Sequence, residues 1–329
     1  MSMRQKWIGL LPVAAAIAYP FFLKGFHAVI SGGEVALAAV LLLGAFAMPL
    51  LGFVFAFRLA EITNPMASDL RARRLAYASI AAPPLFVFTG VAPGLVGLHV
   101  PDIMIWIVVW LAAALYVGFA PDAPAAKTPV KPIAGWRVAH GVAAAAIACF
   151  VLFHLANHLS GLDGPQTHKA IMAAGREIYR APFVEPVLVA LLLFQVASGI
   201  RLAWRWSSLR VEAYRVFQIG SGAYLAAFIL AHMNSAFVSA RAVHHIETDW
   251  AWASGAPTGL IQDAWNIRLL PHYALGVFFI LAHLASGLRV VMIAHGVSAR
   301  IANRCWIAAL VISALIAAAI IAGLCGVRV

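Results

Sequence analysis

The chain alternates long apolar runs with short polar connections. Apolar runs cover residues 7–23, 34–57, 76–97, 103–120, 138–161, 184–204, 217–239, 271–294 and 303–325. Each is long enough to be a membrane-crossing helix, which needs about 20 apolar residues. The pattern predicts an all-α, polytopic transmembrane helical bundle of about nine helices. The opening stretch MSMRQKWIGLLPVAAAIAYPFFL has the basic start of a signal peptide, but its apolar run is long and no small-x-small cleavage site follows, so it reads as the first span. Two features break the apolar monotony. The first is the connection APDAPAAKTPVKPIAG, residues 120–135, whose Pro and Lys content reads as an exposed, non-helical linker. It divides a four-helix part, 1–120, from a five-helix part, 137–329, with 121–136 between them. The second is a set of strong polar side chains deep inside the later runs, discussed below.

Charge refines the topology. Arg4 and Lys6 precede the first span. Arg58, Arg71, Arg73 and Arg74 follow the second, and Lys127, Lys131 and Arg137 follow the fourth. Arg201, Arg205, Arg210 and Arg215 follow the sixth, and Arg300 and Arg304 follow the eighth. The opposite connections are poorer in Lys and Arg, with 162–183 a partial exception. The positive-inside rule then places the N-terminus inside and the C-terminus outside, as in a bacterial inner membrane protein. Composition agrees: 64% of the 329 residues are hydrophobic and 11% charged, where a soluble domain carries about 25% charged residues. The net charge of +11 does not point to nucleic acid, because the basic residues flank apolar spans and meet lipid headgroups there.

The five-helix part carries the chemistry. Its first helix holds His140, His154 and His158, the next Gln195, the third His232 and the fourth His272 and His283. Ionisable or strongly polar residues inside a span are costly and are functional candidates by default. His140 and His154 are 14 residues apart, about 40° around a helix and about 21 Å along it. With the alternating helix directions this gives two levels. The outer level holds His154 and His232 with His158 and His272 nearby, and the inner holds His283, Gln195 and His140. Two imidazoles facing each other across a plane are what a six-coordinate haem b requires. Zinc or di-iron would want carboxylates or thiolates, which these helices scarcely offer. Cys149, Cys305 and Cys325 are dispersed without CxxC or CxxCH, and read as small buried hydrophobes rather than as ligands of an iron–sulfur cluster or covalent haem. His27 and His99 read as interfacial.

A faint repeat aligns FQVASGIRL (194–202) with AHLASGLRV (282–290), pairing Gln195 with His283, Gly199 with Gly287 and Arg201 with Arg289. Gly beside a ligand lets a flat macrocycle approach the backbone, and Arg suits a propionate or quinone head. Equally, Gly serves helix packing and Arg snorkels to the interface.

Residues 137–325 resemble the five-helix cytochrome b membrane anchor of succinate dehydrogenase and fumarate reductase, in its di-haem form. The matching positions are VLFH (His154), the HxxxG position of the next helix, ILAH (His232) and HLASG (His283). The resemblance implies an outer haem held by the first and third positions, His154 and His232, and an inner haem held by the second and fourth. Here the second is Gln195. That departure leaves two expectations: one haem only, or a second held by His283 with His140. His158, one turn outward of His154, is the rival ligand or a propionate contact. The implied function is a membrane b-type cytochrome passing electrons between a quinone and a partner subunit or second acceptor. No GxGxxG or P-loop is present, so flavin or ATP chemistry would come from elsewhere. The alternatives are a non-catalytic haem-bearing scaffold or lipid-homeostasis protein, and a transporter using the histidines as a proton relay. The 161–186 loop, with His168, Arg176, Arg180 and Glu185, reads as a short amphipathic interfacial helix that in the family covers the outer haem. The 241–268 loop, with His244, His245, Glu247 and Asp249, reads as solvated, with weak metal or partner binding as the other possibility.

Overall fold

A computed structural model describes residues 9–125 and 133–329. Arg4, Lys6, Lys127, Lys131 and the middle of the linker lie outside the described residues. The protein is an all-α polytopic bundle, 81% helical, with no strand among the described residues. The long helices are α1 (Leu11–Ser31), α2 (Val35–Ala60), α3 (Ala67–Ile80), α4 (Ala82–Leu95), α5 (Asp102–Phe119), α6 (Ala134–Leu159), α7 (Pro165–Tyr179), α8 (Val184–Trp206), α9 (Ala213–Met233), α10 (Leu269–Ala294) and α11 (Ala299–Leu324). Counting α9 with its extension to Val243, eight helices among the described residues are long and apolar enough to cross a membrane, and the α3–α4 pair makes up to nine.

That pair departs from the straight third span expected over 76–97. The helix breaks at Ala81 and bends by 70°. Pro83 and Pro84 lack the N–H groups that would bond back to Ser79 and Ile80, so the ladder cannot run through, and Ala81 takes a non-helical ψ at the break. The arginine-bearing stretch before the break becomes α3. A second irregularity follows α9: Asn234–Val243 winds as a π-helix, a rare geometry that recurs at functional sites.

The helices form two compact units. Unit 1 comprises Met1–Pro132 with Ile200–Ser239, and unit 2 comprises Ile133–Gly199 with Ala240–Val329. The helix bearing His232, which the linker boundary assigned to the C-terminal part, thus groups with the N-terminal helices. Local packing explains this. A Cβ at Gly220 would lie 2.4 Å from the Phe53 ring, so only glycine lets α9 close on α2, and Phe53 stacks on Phe217 at 5.6 Å. Unit 1 is otherwise keyed by aromatics: Tyr19, Phe86, Trp106 and Trp110 run in edge contacts, and the Trp106 indole donates to the Ala16 carbonyl at 2.8 Å. The arginines of α3 clamp the segment after α8. Arg73 donates to the Leu209 carbonyl at 2.7 Å, and Arg74 lies 3.6 Å over the Trp204 ring and reaches Ser207 and Ser208.

Unit 2 consists of α6, α7, most of α8, α10 and α11, closed at one end by polar loops. The amphipathic helix expected in the 161–186 loop is α7, which buries His168, Met172 and Gly175. Its Arg176 pairs with Glu247 at 2.9 Å, and Arg241 pairs with Glu185 at 2.6 Å. Trp250 drops onto Gly161, where a Cβ would sit 2.0 Å from the indole. The final residue, Val329, donates its N–H to the Leu162 carbonyl at 3.0 Å. Glu247 and Asp249 of the 241–268 loop are committed locally: Glu247 to Arg176, and Asp249 to the Trp252 amide at 3.2 Å as a helix cap. Cys149 and Cys305 are exposed and Cys325 is half-buried, against the expectation of burial. In a bilayer the outer face of a helix is as apolar a medium as the core, so a thiol has no drive inward.

Candidate functional site: a histidine pair in unit 2

His140 lies in the second turn of α6. It faces α8 and α10, and three interactions define its surroundings. Its Nδ1 is 2.8 Å from the Ser198 hydroxyl. Its backbone carbonyl accepts a hydrogen bond from the Gln195 amide at 2.8 Å. Its ring centre is 6.5 Å from that of His283, with the two ring planes at 81°. Gln195 and Ser198 are three residues apart on α8 and so share a face, and both are buried. His283 is half-buried on α10.

The spacing of the two rings is informative. A metal ion held by imidazole nitrogens at about 2 Å from opposite sides puts the ring centres about 6.3 Å apart. The observed 6.5 Å meets that requirement, and crossed ring planes are compatible with a shared axis. Edge-to-face ring contacts span about 4.5–7 Å, and His154 and His158, also at a steep ring angle, stand 4.7 Å apart. Gly287, one turn along α10 from His283, faces open space, with no atom within 4 Å of an added Cβ. At Gly199 an added Cβ would meet the His140 ring at 3.5 Å, an ordinary contact. His140 and His283, with open space at Gly287, are the residues of this site that could hold a metal-centred group. Among the described residues no group of three or more His, Cys, Asp or Glu converges as a bare metal ion would need.

The other candidate residues fall as follows. Gln195 uses its amide nitrogen on the His140 carbonyl and so ties α8 to α6. Arg289 donates from Nε to Asn303 at 2.7 Å, bridging α10 to α11. Arg201 is exposed and belongs to unit 1. His232 is also in unit 1, where it stacks on Phe228 at 5.6 Å and 7°. Pairing of His154 with His232 remains an expectation of the sequence. His154 and His158 lie in unit 2, in a run of rings that continues to a third histidine. The centres of His158 and His168 are 5.2 Å apart, and His168 accepts a hydrogen bond at Nε2 from the Asn157 amide at 3.2 Å. Trp250 covers it at 4.8 Å. His272 is buried at the start of α10 and contacts the Tyr273 ring at 5.3 Å.

His168 lies outside the spans. Burial holds its basicity below the ordinary histidine value; Arg176 adds to that effect and Asp249 opposes it. Sequence reading placed His168 in an interfacial loop without attaching it to the α6 histidines. The signal was its position as the one histidine on the apolar face of α7, with Met172 and Gly175. It also passed over Ser198 and Ser286, which stand at the same place in both copies of the ASG repeat.

The chain matches no family model, no curated protein and no solved structure.

Proposed function

We propose that the protein is a membrane-embedded b-type cytochrome whose haem is held between His140 and His283. The observation that supports the reading is the approach of two histidine rings from facing helices at 6.5 Å, a separation that admits a bis-imidazole iron centre and also falls within the range of edge-to-face ring contacts. When bound, the haem takes up one electron and gives it back, linking a quinone to a partner protein or second acceptor. The residues do the rest. His140 and His283 would each supply a ring nitrogen to hold the group, Gln195 and Ser198 hold the α6 backbone and ring in place, and the apolar helix walls would limit water at the site. Electron entry and exit fall to partners, since the chain has no flavin- or nucleotide-binding motif.

The test is the absorption spectrum of the purified full chain, with haem quantified per polypeptide. The reading predicts a sharp low-spin α band on reduction and haem close to one per chain from this pair. A protein with no haem after haem-replete expression would end it.

A second reading has its own support. The His154–His158–His168 run steps from inside α6 to the closed end of unit 2, an arrangement suited to a proton path in a transporter. Proton flux into vesicles by haem-free protein, abolished by His158→Phe, would favour it.

A further inference from the structure

The two copies of the ASG repeat do the same thing structurally. Ser198 in α8 donates its hydroxyl hydrogen to the Phe194 carbonyl at 2.6 Å, one turn back. Ser286 in α10 donates to the Ala282 carbonyl at 2.8 Å, also one turn back. Each hydroxyl oxygen then meets one ring nitrogen from a neighbouring helix. For Ser286 the partner is the Trp306 indole at 2.8 Å; for Ser198 it is His140 Nδ1 at 2.8 Å. An indole N–H only donates, so at Ser286 the serine is unambiguously the acceptor. If the Ser198 hydroxyl is placed like that of Ser286, its single hydrogen goes to the Phe194 carbonyl and only lone pairs face His140. In that arrangement Nδ1 brings the hydrogen.

We infer that Ser198 is a positioning residue that holds His140 as the Nδ1–H tautomer, leaving the lone pair on Nε2 for a metal. The tautomer is inferred from the parallel with Ser286; its consequence for the haem rests on the reading proposed above. Ser198 is fully buried, so no water competes for the bond. The ring of a ligand histidine is fixed by what its other nitrogen donates to, and here that acceptor comes from the helix that also carries Gln195. α8 therefore supplies the support for a ligand rather than the ligand itself, whereas Ser286, in the aligned position, spends the same geometry on tying α10 to α11 through Trp306.

Nitrogen NMR on the full chain labelled with 15N-histidine and kept haem-free, His140 being assigned by His140→Gln, tests the tautomer. Haem titration of the same proteins tests the consequence. Wild type should show protonated Nδ1 and bare Nε2. Ser198→Ala should lose that single tautomer and bind haem about 10–100-fold more weakly, while Ser198→Thr, which keeps the hydroxyl, should retain both properties. Ser286→Ala removes the equivalent bond elsewhere and should leave the His140 tautomer unchanged. A wild-type ring protonated at Nε2 overturns the inference, as does an unaltered tautomer or haem affinity in Ser198→Ala. A tautomer change in Ser286→Ala overturns it too, by showing general loosening instead of a specific bond. If wild type takes up no haem, the cytochrome reading fails, and the NMR result still decides the tautomer.

Discussion

The sequence resemblance expects a ligand histidine where Gln195 stands, so replacement of Gln195 separates two roles. In the structure it is a brace: its amide donates to the His140 carbonyl at 2.8 Å, adding a second bond to an oxygen already engaged in the α6 ladder. Gln195→Leu keeps the bulk and deletes that bond. The carbonyl retains its helical partner, so no buried group is left wholly unsatisfied, and the loss is that of one interhelical bond in an apolar medium. Such bonds average about 0.6 kcal/mol and reach about 1.7 in membrane proteins. A fall in thermal midpoint of about 1–5 °C follows, on the usual conversion for chains of this order of size. Haem content and the low-spin band should persist, because neither ring of the pair is touched. The assay is a thermal melt of detergent-purified protein beside its reduced-minus-oxidised spectrum. Loss of the haem with an unchanged melt would refute the reasoning and make Gln195 part of the ligand set.

Four further outcomes are expected. Reporter fusions after residues 66, 128 and 208 should all report the inner side; one outer signal breaks the positive-inside topology. Gly161→Ala would drive a methyl into Trp250, where the Cβ has only 2.0 Å; overpacking of this kind costs about 1–3 kcal/mol, read as faster proteolysis of the closed end of unit 2. His168, whose folded form resists protonation, should make the docking of α7 pH-dependent. Above the ordinary histidine value both docked and undocked forms are neutral and stability is level; as pH falls below it the undocked form binds the proton first, so docking weakens. Hydrogen-exchange protection factors of residues 165–179, corrected for the intrinsic pH dependence of exchange, should therefore fall between pH 7.5 and 5.5, and His168→Asn should flatten that slope. Should a second haem be present, His154→Ala should remove it and His158→Ala should only shift its potential; the reverse result moves that ligand one turn outward.

Much of this architecture was legible because a bilayer imposes a simple code. Span length and apolarity located eight helices to within a turn or so at most ends, although α1 runs on to Ser31 where the sequence suggested an end near residue 23. The broken α3–α4 pair was harder. The apolar run from residue 76 hid the break, and its only mark was the Pro83–Pro84 doublet. The division into units was not legible from the linker, because the grouping of α9 depends on Gly220 admitting Phe53, a contact between residues far apart in the chain. In the site, histidines announced themselves by their cost in hydrocarbon, and the idea that His140 stands in for the residue at position 195 came from depth arithmetic. Ser198 and Ser286 did not announce themselves. A serine in a span is readily satisfied by its own helix and reads as a small packing residue; its second role appears only when the neighbouring ring is placed against it. His168 was missed for a related reason: the loop that carries it folds back over α6, which no local periodicity encodes.

The most direct test of the central claim is low-spin haem spectroscopy of His140→Ala and His283→Ala beside wild type, at matched protein levels. The account predicts that wild type shows a bis-imidazole haem b and that each substitution alone abolishes that component. Retention of the same low-spin component in both variants would contradict it.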